Sequence, residues 1–398
     1  MTEHARREEQ DGAKKREHCV ERDAEQPERQ RDQPDDRPQQ EREQRNRPAQ
    51  HEQQQPTDER EKGSHGPPHG DTQQSVTVAR RRDDGNGPAD STSTSLWRFA
   101  GPRYWSAWSL WGWMRLTAAL PIKVALAIHR PLGKVMYGLL GRQRKTVLRN
   151  LELCFPELPP NEREALAKRS FEAIGLYFAE CAIGWFGSER HVADALFDVR
   201  GIEHLQTALA KGRGVILFTG HFTTIEICGR ALKRAMPNFT VMYAPRSNPV
   251  IDEMQRRGRK RVSHESVPHD NIRMMLRCLK RNAAIWYAPD QYYEGGALVP
   301  FFHELACTNV ATSKLARMTG ATVVPMSYRR LDREARYEVR FHAPLTDFPT
   351  DDEKADTTRL TRVLEDFIRV APEQYLWNHR RFKGRPAPLP DLYAKPPK

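Results

Sequence analysis

The chain has 398 residues and a formal net charge of +12, with 64 Lys and Arg against 52 Asp and Glu. Residues 1–95 hold 17 Lys and Arg and 22 Asp and Glu, so the rest of the chain carries +17. A charge of that size indicates an anionic partner: a nucleic acid, a membrane surface, a phosphorylated substrate or an acidic protein. The six cysteines are scattered without a Cys-x-x-Cys pair. Their spacing argues against a disulfide framework and a zinc site, and it favours a reducing compartment.

The first 95 residues differ sharply in composition from the rest of the chain. They contain no Leu, Ile, Phe, Trp or Tyr, and Arg, Glu, Gln, Asp and Pro dominate them. Such a segment cannot bury enough apolar area to offset the entropy lost on folding. We therefore expect residues 1–95 to be a disordered tail. We also expect no cleavable signal peptide, because the tail has no apolar core region.

Residues 96–130 are rich in tryptophan and predict a membrane anchor. The indoles, which favour a membrane interface, are those of Trp105, Trp108, Trp111 and Trp113. Pro121 breaks or kinks the run, which only approximates the roughly 20 apolar residues of a spanning helix. The anchor therefore either spans the membrane or lies flat on it. The alternative is an amphipathic helix packed on the domain.

Cations follow this anchor directly, within a helical lead-in predicted for residues 131–198. They are Lys134, Arg142, Arg144, Lys145 and Arg149. Cations beside a membrane are attracted to its anionic surface and stay on the cytoplasmic side. We therefore expect the protein at the inner (cytoplasmic) membrane, with its catalytic domain facing the cytoplasm.

Apolar strands alternate with helical patterns from residue 199 to residue 393. The predicted strands are 214–219, 240–244, 284–288, 322–327 and 337–341, and the predicted helices are 203–211, 225–235, 250–257, 270–281, 310–319 and 356–371. Residues 162–186 predict one or two further helices ahead of them. This alternation predicts a layered α/β domain whose mainly parallel sheet is flanked by helices.

The strand at 214–219 delivers a histidine, His221, into the turn before a helix. Ligands of open α/β sheets bind at the carboxyl ends of strands. Glu226 would lie in the first turn of that helix. We expect Glu226 to hold one imidazole nitrogen of His221 while the other nitrogen takes a proton from the substrate.

Further polar residues come after the later strands and the last helix. Arg246 and Asn248 come after 240–244, and Arg259 lies in a basic run at 256–261. Asp290 follows 284–288, where it would bind substrate or position Arg259. Near the C-terminus, His379 and Arg380 lie beside Trp377 and predict stacking and cationic contacts to a phosphate or sugar.

Several of these segments resemble a known family. The pair His221-x4-Glu226 resembles the His-x4-Asp/Glu signature of glycerolipid and lysophospholipid acyltransferases. Similar blocks are Asn150-Leu151 with Phe155-Pro156-Glu157, Pro289-Asp290-Gln291, Val299-Pro300-Phe301, and residues 372–382. They stand in register over residues 104–393, and together they resemble the late acyltransferases of lipid A biosynthesis, of the lauroyl/myristoyl type. Ala244 departs from the family, which has an arginine there, and Arg246 stands two places later.

This resemblance implies transfer of a fatty acyl chain from acyl carrier protein to a hydroxyl of a Kdo-linked lipid A precursor, a phosphorylated glycolipid, with no cofactor and no metal. It makes His221 and Glu226 the catalytic pair. The substrate-binding residues would be Arg246, Asn248, Arg259, Asp290, His379 and Arg380.

Two alternatives stay open at the level of sequence. The acceptor could be another glycolipid, of the phosphatidylinositol mannoside type, or a lysophospholipid. A basic, membrane-tethered nucleic-acid-binding protein would also explain the charge and would bind with steep salt dependence. The chain shows no recognised nucleic-acid motif, so we predict no nucleic-acid partner.

Overall fold

The computed structural model describes residues 96–193, 195–236, 238–331 and 335–394. The predicted disordered tail lies outside these residues. Two short 3-10 turns precede the first α-helix. The α-helices are α1 Trp105–Ala119, α2 Ile122–Leu139, α3 Gly141–Cys154, α4 Pro160–Phe186, α5 Glu189–Ala193, α6 Ile202–Ala210, α7 Ile225–Ala235, α8 Pro249–Val262, α9 Ile272–Lys280, α10 Ala311–Thr319 and α11 Glu353–Val370.

The described strands form one large sheet and one hairpin. They are β1 Leu196–Arg200, β2 Val215–Phe218, β3 Phe239–Tyr243, β4 Glu265–Pro268, β5 Ala284–Tyr287, β6 Ala297–Phe301, β7 Glu304–Thr308, β8 Thr322–Arg330 and β9 Arg336–Phe341. The large sheet has the order β1-β9-β8-β2-β5-β3-β4, and β6 pairs with β7. All neighbours in the large sheet are parallel except β8 and β9. The predicted α/β fold with a mainly parallel sheet flanked by helices is confirmed.

The long, apolar elements were predicted with accurate bounds. The predicted helix at 225–235 is α7, and the predicted strand at 214–219 contains β2. Every β2 side chain is buried, which explains why its apolar run is continuous. The hairpin and the two edge strands β1 and β4 were not predicted. Both edge strands have partly exposed, mixed side chains, so the apolar pattern that marks a buried strand is missing from them.

The tryptophan-rich segment forms two helices separated at Pro121. α1 ends at Ala119 and α2 begins at Ile122, because Pro121 lacks the N–H that a continuing helix needs. In the described part of the chain, no helix has the length and hydropathy required to cross a membrane.

One face of α1 packs on the domain, as the alternative prediction proposed. Ala107, Trp111 and Met114 are buried in a cluster with Trp185 of α4 and Met254 of α8. The other face of α1 and part of α2 present large apolar side chains to the surface. These are Trp105, Trp113, Leu116, Val124, Ile128, Val135 and Leu139.

A buried ionic network joins α4 to the far strands of the sheet. Glu180 of α4 accepts hydrogen bonds from Arg330 Nε (2.7 Å) and Nη2 (3.1 Å) and from the Tyr337 hydroxyl (2.9 Å). The backbone N–H of Arg330 donates to Gln374 Oε1, and Gln374 Nε2 donates to the Arg330 carbonyl oxygen. The network therefore fixes the segment after α11 against β8.

Candidate active site

The site is built where β2 and β5 end at one edge of the sheet, beside β8, which continues to Arg330. β2 lies between the other two, and Phe218 is in register with Tyr287 on one side and Pro325 on the other. The third residue beyond each of these positions is His221, Asp290 and Tyr328, respectively. The register therefore brings a histidine and a carboxylate from neighbouring parallel strands to the same height. Tyr328 completes the row by donating its hydroxyl hydrogen to the Gly220 carbonyl oxygen (2.7 Å).

His221 and Asp290 form a two-point contact. The His221 backbone N–H donates to Asp290 Oδ2 (2.8 Å), and His221 Nδ1 lies 2.5 Å from Asp290 Oδ1. The Asp290 side chain is fully buried, whereas the imidazole is 31% exposed. Since the Asp290 carboxylate accepts a hydrogen bond from Nδ1, the neutral ring carries its proton on Nδ1 and keeps a lone pair on Nε2.

This contact shifts the pKa of both groups. Burial alone would raise the pKa of Asp290, but the charge of His221 and the hydrogen bonds from its ring and backbone lower it to about 2. Burial alone would lower the pKa of His221, but the charge and hydrogen bond of Asp290 outweigh that effect and raise it above its usual value of 6.5. Asp290 is therefore an anion at neutral pH, and it stabilises a positive charge on the ring.

Glu226 lies in the first turn of α7 and contacts other partners than the imidazole. It is 4% exposed, and its Oε2 accepts a hydrogen bond from Trp185 Nε1 (2.7 Å). Its Oε1 accepts one from Arg259 Nη2 (3.2 Å). The prediction that Glu226 holds a ring nitrogen of His221 is corrected, because α7 directs this carboxylate toward α4 and α8. Asp290 has the position that we predicted for Glu226.

Arg259 lies on α8, and its guanidinium is held between β3 and α7. Its Nη1 donates to the Met242 carbonyl oxygen (2.8 Å), and its Nη2 donates to Glu226. The prediction that Asp290 could position Arg259 is therefore wrong, since Glu226 does so. The preceding Gly258 lets α8 lie against α4, because a Cβ there would fall 2.3 Å from Trp185 Cγ. The turn at residues 219–224, which we call the histidine turn, carries His221. Beside it lies one packed unit, formed by the side chains of Glu226, Arg259 and Trp185.

Arg246 and Asn248 lie in the loop between β3 and α8. Asn248 is the N-cap of α8, and its side-chain oxygen accepts the N–H groups of Val250 (3.0 Å) and Ile251 (3.3 Å). The structure therefore gives this oxygen a helix-capping role. The exposed Arg246 donates from Nε to Gln255 Oε1 (3.2 Å). Substrate binding by these two residues stays a prediction.

The segment after α11 is bonded to both sides of the histidine turn. The Leu376 N–H donates to the His221 carbonyl oxygen (3.0 Å), and the Thr223 N–H donates to the Gln374 carbonyl oxygen (2.8 Å). Phe222 and Tyr375 form an antiparallel bridge between these bonds. The C-terminal motif therefore fixes the backbone that carries His221.

Two of the predicted binding residues lie just after this bridge. His379 Nδ1 contacts the Leu376 carbonyl oxygen (2.8 Å). Burial lowers the pKa of His379 to about 4. The ring is therefore neutral at pH 7, with its proton on Nδ1 and an acceptor lone pair on Nε2. Arg380 is exposed and lies over the Tyr393 ring, 4.6 Å from its centroid.

The sequence reasoning missed Arg381, Tyr328 and Trp185. Arg381 is 1% exposed, donates from Nη1 to the Cys307 carbonyl oxygen (3.0 Å) and from Nη2 to Thr308 Oγ1 (2.6 Å). Two adjacent arginines end the C-terminal motif, and only the tertiary contacts show which of them is buried. Tyr328 and Trp185 gave no signal, because single aromatics in apolar elements usually belong to the core.

The arrangement suits proton transfer from a hydroxyl group. His221 presents Nε2 at the surface of the site, and Asp290 holds the opposite nitrogen. Such a pair removes a proton from an alcohol and stores it as an imidazolium. The described residues include no group of three or more His, Cys, Asp or Glu side chains that could hold a metal ion.

A family model described as bacterial lipid A biosynthesis acyltransferase matches residues 93–384. The chain is similar to the lipid A biosynthesis lauroyltransferase of Escherichia coli (strain K12), with 37% identity over 295 residues that cover 73% of this chain and 96% of that protein. It is 34% identical to the palmitoleoyltransferase of that organism over 301 residues (74% and 96%). It is 28% identical to the myristoyltransferase over 295 residues (72% and 90%).

Proposed function

Because the chain belongs to the bacterial lipid A biosynthesis acyltransferase family, we propose that it transfers a fatty acyl chain from acyl carrier protein to a hydroxyl of a Kdo-linked lipid A precursor. Family membership confirms the resemblance found in the sequence and makes the chain an acyltransferase of lipid A biosynthesis. To this we add the identity of the donor and acceptor, a mechanism, and a place in the cell.

The paired contact between His221 and Asp290 is the observation that carries the mechanism. Nε2 of His221 takes the proton of the acceptor hydroxyl as the oxygen attacks the thioester carbonyl carbon. Asp290 keeps the ring oriented through Nδ1 and stabilises the imidazolium that forms. When the tetrahedral intermediate collapses, the C–S bond breaks and the leaving thiolate takes the proton back from Nε2. The products are an ester and a free thiol, and His221 returns to its neutral form.

Glu226 supports this pair from the neighbouring element. Its negative charge also raises the pKa of His221, although burial and Asp290 have larger effects. The ion pair with Arg259 holds the Glu226 side chain in place. In this mechanism Glu226 is a positioning residue, and Asp290 is the direct partner of the base. We assign three groups to substrate binding: the exposed side chains of Arg246 and Arg380 and the acceptor nitrogen of His379.

The exposed apolar face of α1 and α2 supports attachment to a membrane surface. Trp105 is 62% exposed, Trp113 45% and Leu116 59%, and Arg115 and Lys123 lie among them. Indole rings and aliphatic side chains beside cations favour the interface between headgroups and acyl chains. We assign the protein to the cytoplasmic face of the inner membrane, where it lies flat on the surface.

Acyl transfer in detergent tests the function. Membranes that contain the protein receive an acyl carrier protein thioester and a tetra-acylated Kdo-linked precursor, and membranes with His221→Ala serve as the control. We expect a product one acyl chain heavier, and a loss of about 10²–10⁴-fold in rate without the histidine. Transfer to a lysophospholipid or a mannolipid but not to the Kdo-linked precursor would overturn the proposed identity of the acceptor. Undiminished transfer by the His221→Ala protein would overturn the mechanism.

A further inference from the structure

A cleft lined only by charged side chains lies at the carboxyl ends of α7 and α8. Its lining residues, which we call the basic cleft, are Glu189, Arg230, Lys233, Arg234, Lys260 and Arg261. Five of these six side chains are cationic, and the sixth is a single carboxylate. Arg234, Lys260 and Arg261 are exposed. The basic cleft therefore concentrates part of the excess positive charge of the folded chain in one open groove.

Part of this charge has a structural explanation, because helices end here. Lys233 Nζ donates to the Lys260 carbonyl oxygen at the end of α8 (2.6 Å), and Arg261 Nη2 donates to the Gly187 carbonyl oxygen at the end of α4 (3.0 Å). Glu189 forms ion pairs with Arg230 and Arg234. Each helix end contributes roughly half a negative charge. The ends of α4, α7 and α8 together with Glu189 thus offset about half of the five positive charges.

The positive charge that remains acts on the cleft itself. Burial and then the charge of Arg230 lower the pKa of Lys233, and Arg261 lowers it further. The cations therefore repel one another in the free protein. An anionic partner that enters the basic cleft relieves this repulsion.

We propose that the basic cleft docks the acidic face of the carrier protein that bears the acyl thioester. This inference rests on the proposed function, in which that carrier is the donor. An open groove with exposed cations on two helices, α7 and α8, fits a surface that carries several carboxylates. A single phosphate would instead need donors that converge on one point. A lipid surface would call for apolar side chains among the cations, and the cleft lining has none.

The position of the basic cleft suits delivery of the thioester. Glu226 and Lys233 lie on the same helix, seven residues apart, which is about 10 Å at the rise of roughly 1.5 Å per residue. Lys260 follows Arg259, the ion-pair partner of Glu226, on α8. The cleft lies at the carboxyl end of α7, and the histidine turn precedes the amino end of the same helix. A carrier docked in the cleft therefore stands about one length of α7, roughly 16 Å, from the turn, a distance that a flexible prosthetic arm spans.

Binding of the acylated carrier protein to the full chain in detergent tests the docking site. The variants are Lys260→Glu and the double change Lys260→Glu with Arg261→Glu. Arg273→Glu with Arg277→Glu on α9, also exposed, is the control with the same change in net charge. At low ionic strength we expect the double variant to bind about tenfold more weakly and the control to bind nearly as well as the unaltered protein. Equal weakening of the cleft variants and the control, or no weakening, overturns the proposal.

A second comparison separates this inference from the proposed function. The transfer rate is measured with the acyl group on the carrier and with acyl-pantetheine, a small neutral thioester. Selective loss of the carrier-dependent kcat/KM in Lys260→Glu supports docking, whereas equal loss with both donors overturns it. If the unaltered protein transfers from neither donor, the proposed function fails, and the binding comparison still decides the docking site. The same binding assay is repeated at constant ionic strength with millimolar inorganic phosphate or with anionic vesicles. If either of them displaces the carrier, the cleft binds a phosphate or a lipid headgroup, and the proposal of carrier docking is overturned.

Discussion

Glu180 and Asp290, two of the buried carboxylates in the described part of the chain, accept charge-assisted hydrogen bonds and differ in what surrounds them. Glu180 is 0% exposed and contacts Arg330, which is 9% exposed. Asp290 is equally buried, but its partner His221 is 31% exposed and has a pKa raised from its usual value of 6.5 by the charge and hydrogen bond of Asp290. An arginine keeps its proton throughout the accessible pH range, so the first pair can only hold elements together. The second pair can exchange a proton with a bound molecule.

The comparison shows that burial of a charge does not by itself identify an active site. Both carboxylates would pass a search for buried ionised groups. They are distinguished by whether the partner can change its protonation state and whether one of its nitrogens reaches solvent. The Glu180 network joins α4, β8 and β9, whereas the Asp290 pair joins two strand ends at the edge where ligands bind. We therefore expect substitutions at Glu180 to lower stability and substitutions at Asp290 to lower activity.

Glu180→Gln should have the largest effect. It leaves the Arg330 guanidinium buried without its counter-charge, and loss of one partner of a buried pair costs roughly 3–5 kcal/mol. Denaturant unfolding measures the change in the free energy of unfolding. Glu172→Gln on the same helix is the matched control, because Glu172 faces the exposed Lys134 at 3.7 Å and such pairs contribute about 0–1 kcal/mol. Similar losses in the two variants would contradict a structural role for the Glu180 network.

Asp290→Asn should leave the protein folded and lower kcat by about 10²-fold, since the amide cannot stabilise the imidazolium that forms during proton transfer. A factor of 10² corresponds to about 2.7 kcal/mol of transition-state free energy. Acyl transfer rates and circular dichroism of the same preparation measure the two quantities. An Asp290→Asn protein that keeps most of its rate would show that the contact between Asp290 and His221 is not used in the reaction.

The sequence predicted the position of the histidine but not its partner. The apolar run of β2 and the helix after it were readable, so His221 was located at the end of a central strand. The sequence predicts Glu226 as its partner, from the first turn of the following helix and from the His-x4-Glu pattern. Asp290 is 69 residues away, and only the pairing of β2 with β5 brings the two together. Pairing of distant strands depends on the whole fold and leaves no local pattern in the chain.

The dependence on distant strands also explains why the sequence predicted a role for Arg380 and missed Arg381. Arg380 and Arg381 are adjacent and chemically alike, and the sequence gives no reason to bury one of them. The structure buries Arg381 because Cys307 and Thr308 at the end of β7 accept its hydrogen bonds. β7 belongs to the hairpin that the sequence did not predict. Without that hairpin, the contact that selects Arg381 could not be foreseen.

Glu226→Gln should have a smaller effect than Asp290→Asn, with a loss of about tenfold in kcat, or about 1.4 kcal/mol. The amide keeps the contact with Trp185 Nε1 but removes the negative charge that Arg259 and, at longer range, His221 experience. Trp185→Phe is the companion variant, because it removes the N–H that donates to Glu226 and leaves the charge of Glu226 unchanged. If Glu226→Gln lost more activity than Asp290→Asn, the direct partner of the base would be Glu226, as the sequence first predicted.

The pH dependence of kcat/KM gives the smallest and most specific difference. His221 acts as a base only when neutral, so activity rises with pH through its pKa, which lies above 6.5 in the intact site. Asp290→Asn removes the anion that raises this pKa and leaves the opposing effect of burial. The rising limb of the profile should therefore move to lower pH. His379→Gln is the control, since His379, with a pKa of about 4, is already neutral across that limb and its replacement should not move it. A limb that stays in place in Asp290→Asn, or moves in His379→Gln, would assign the titrating group to a residue other than His221.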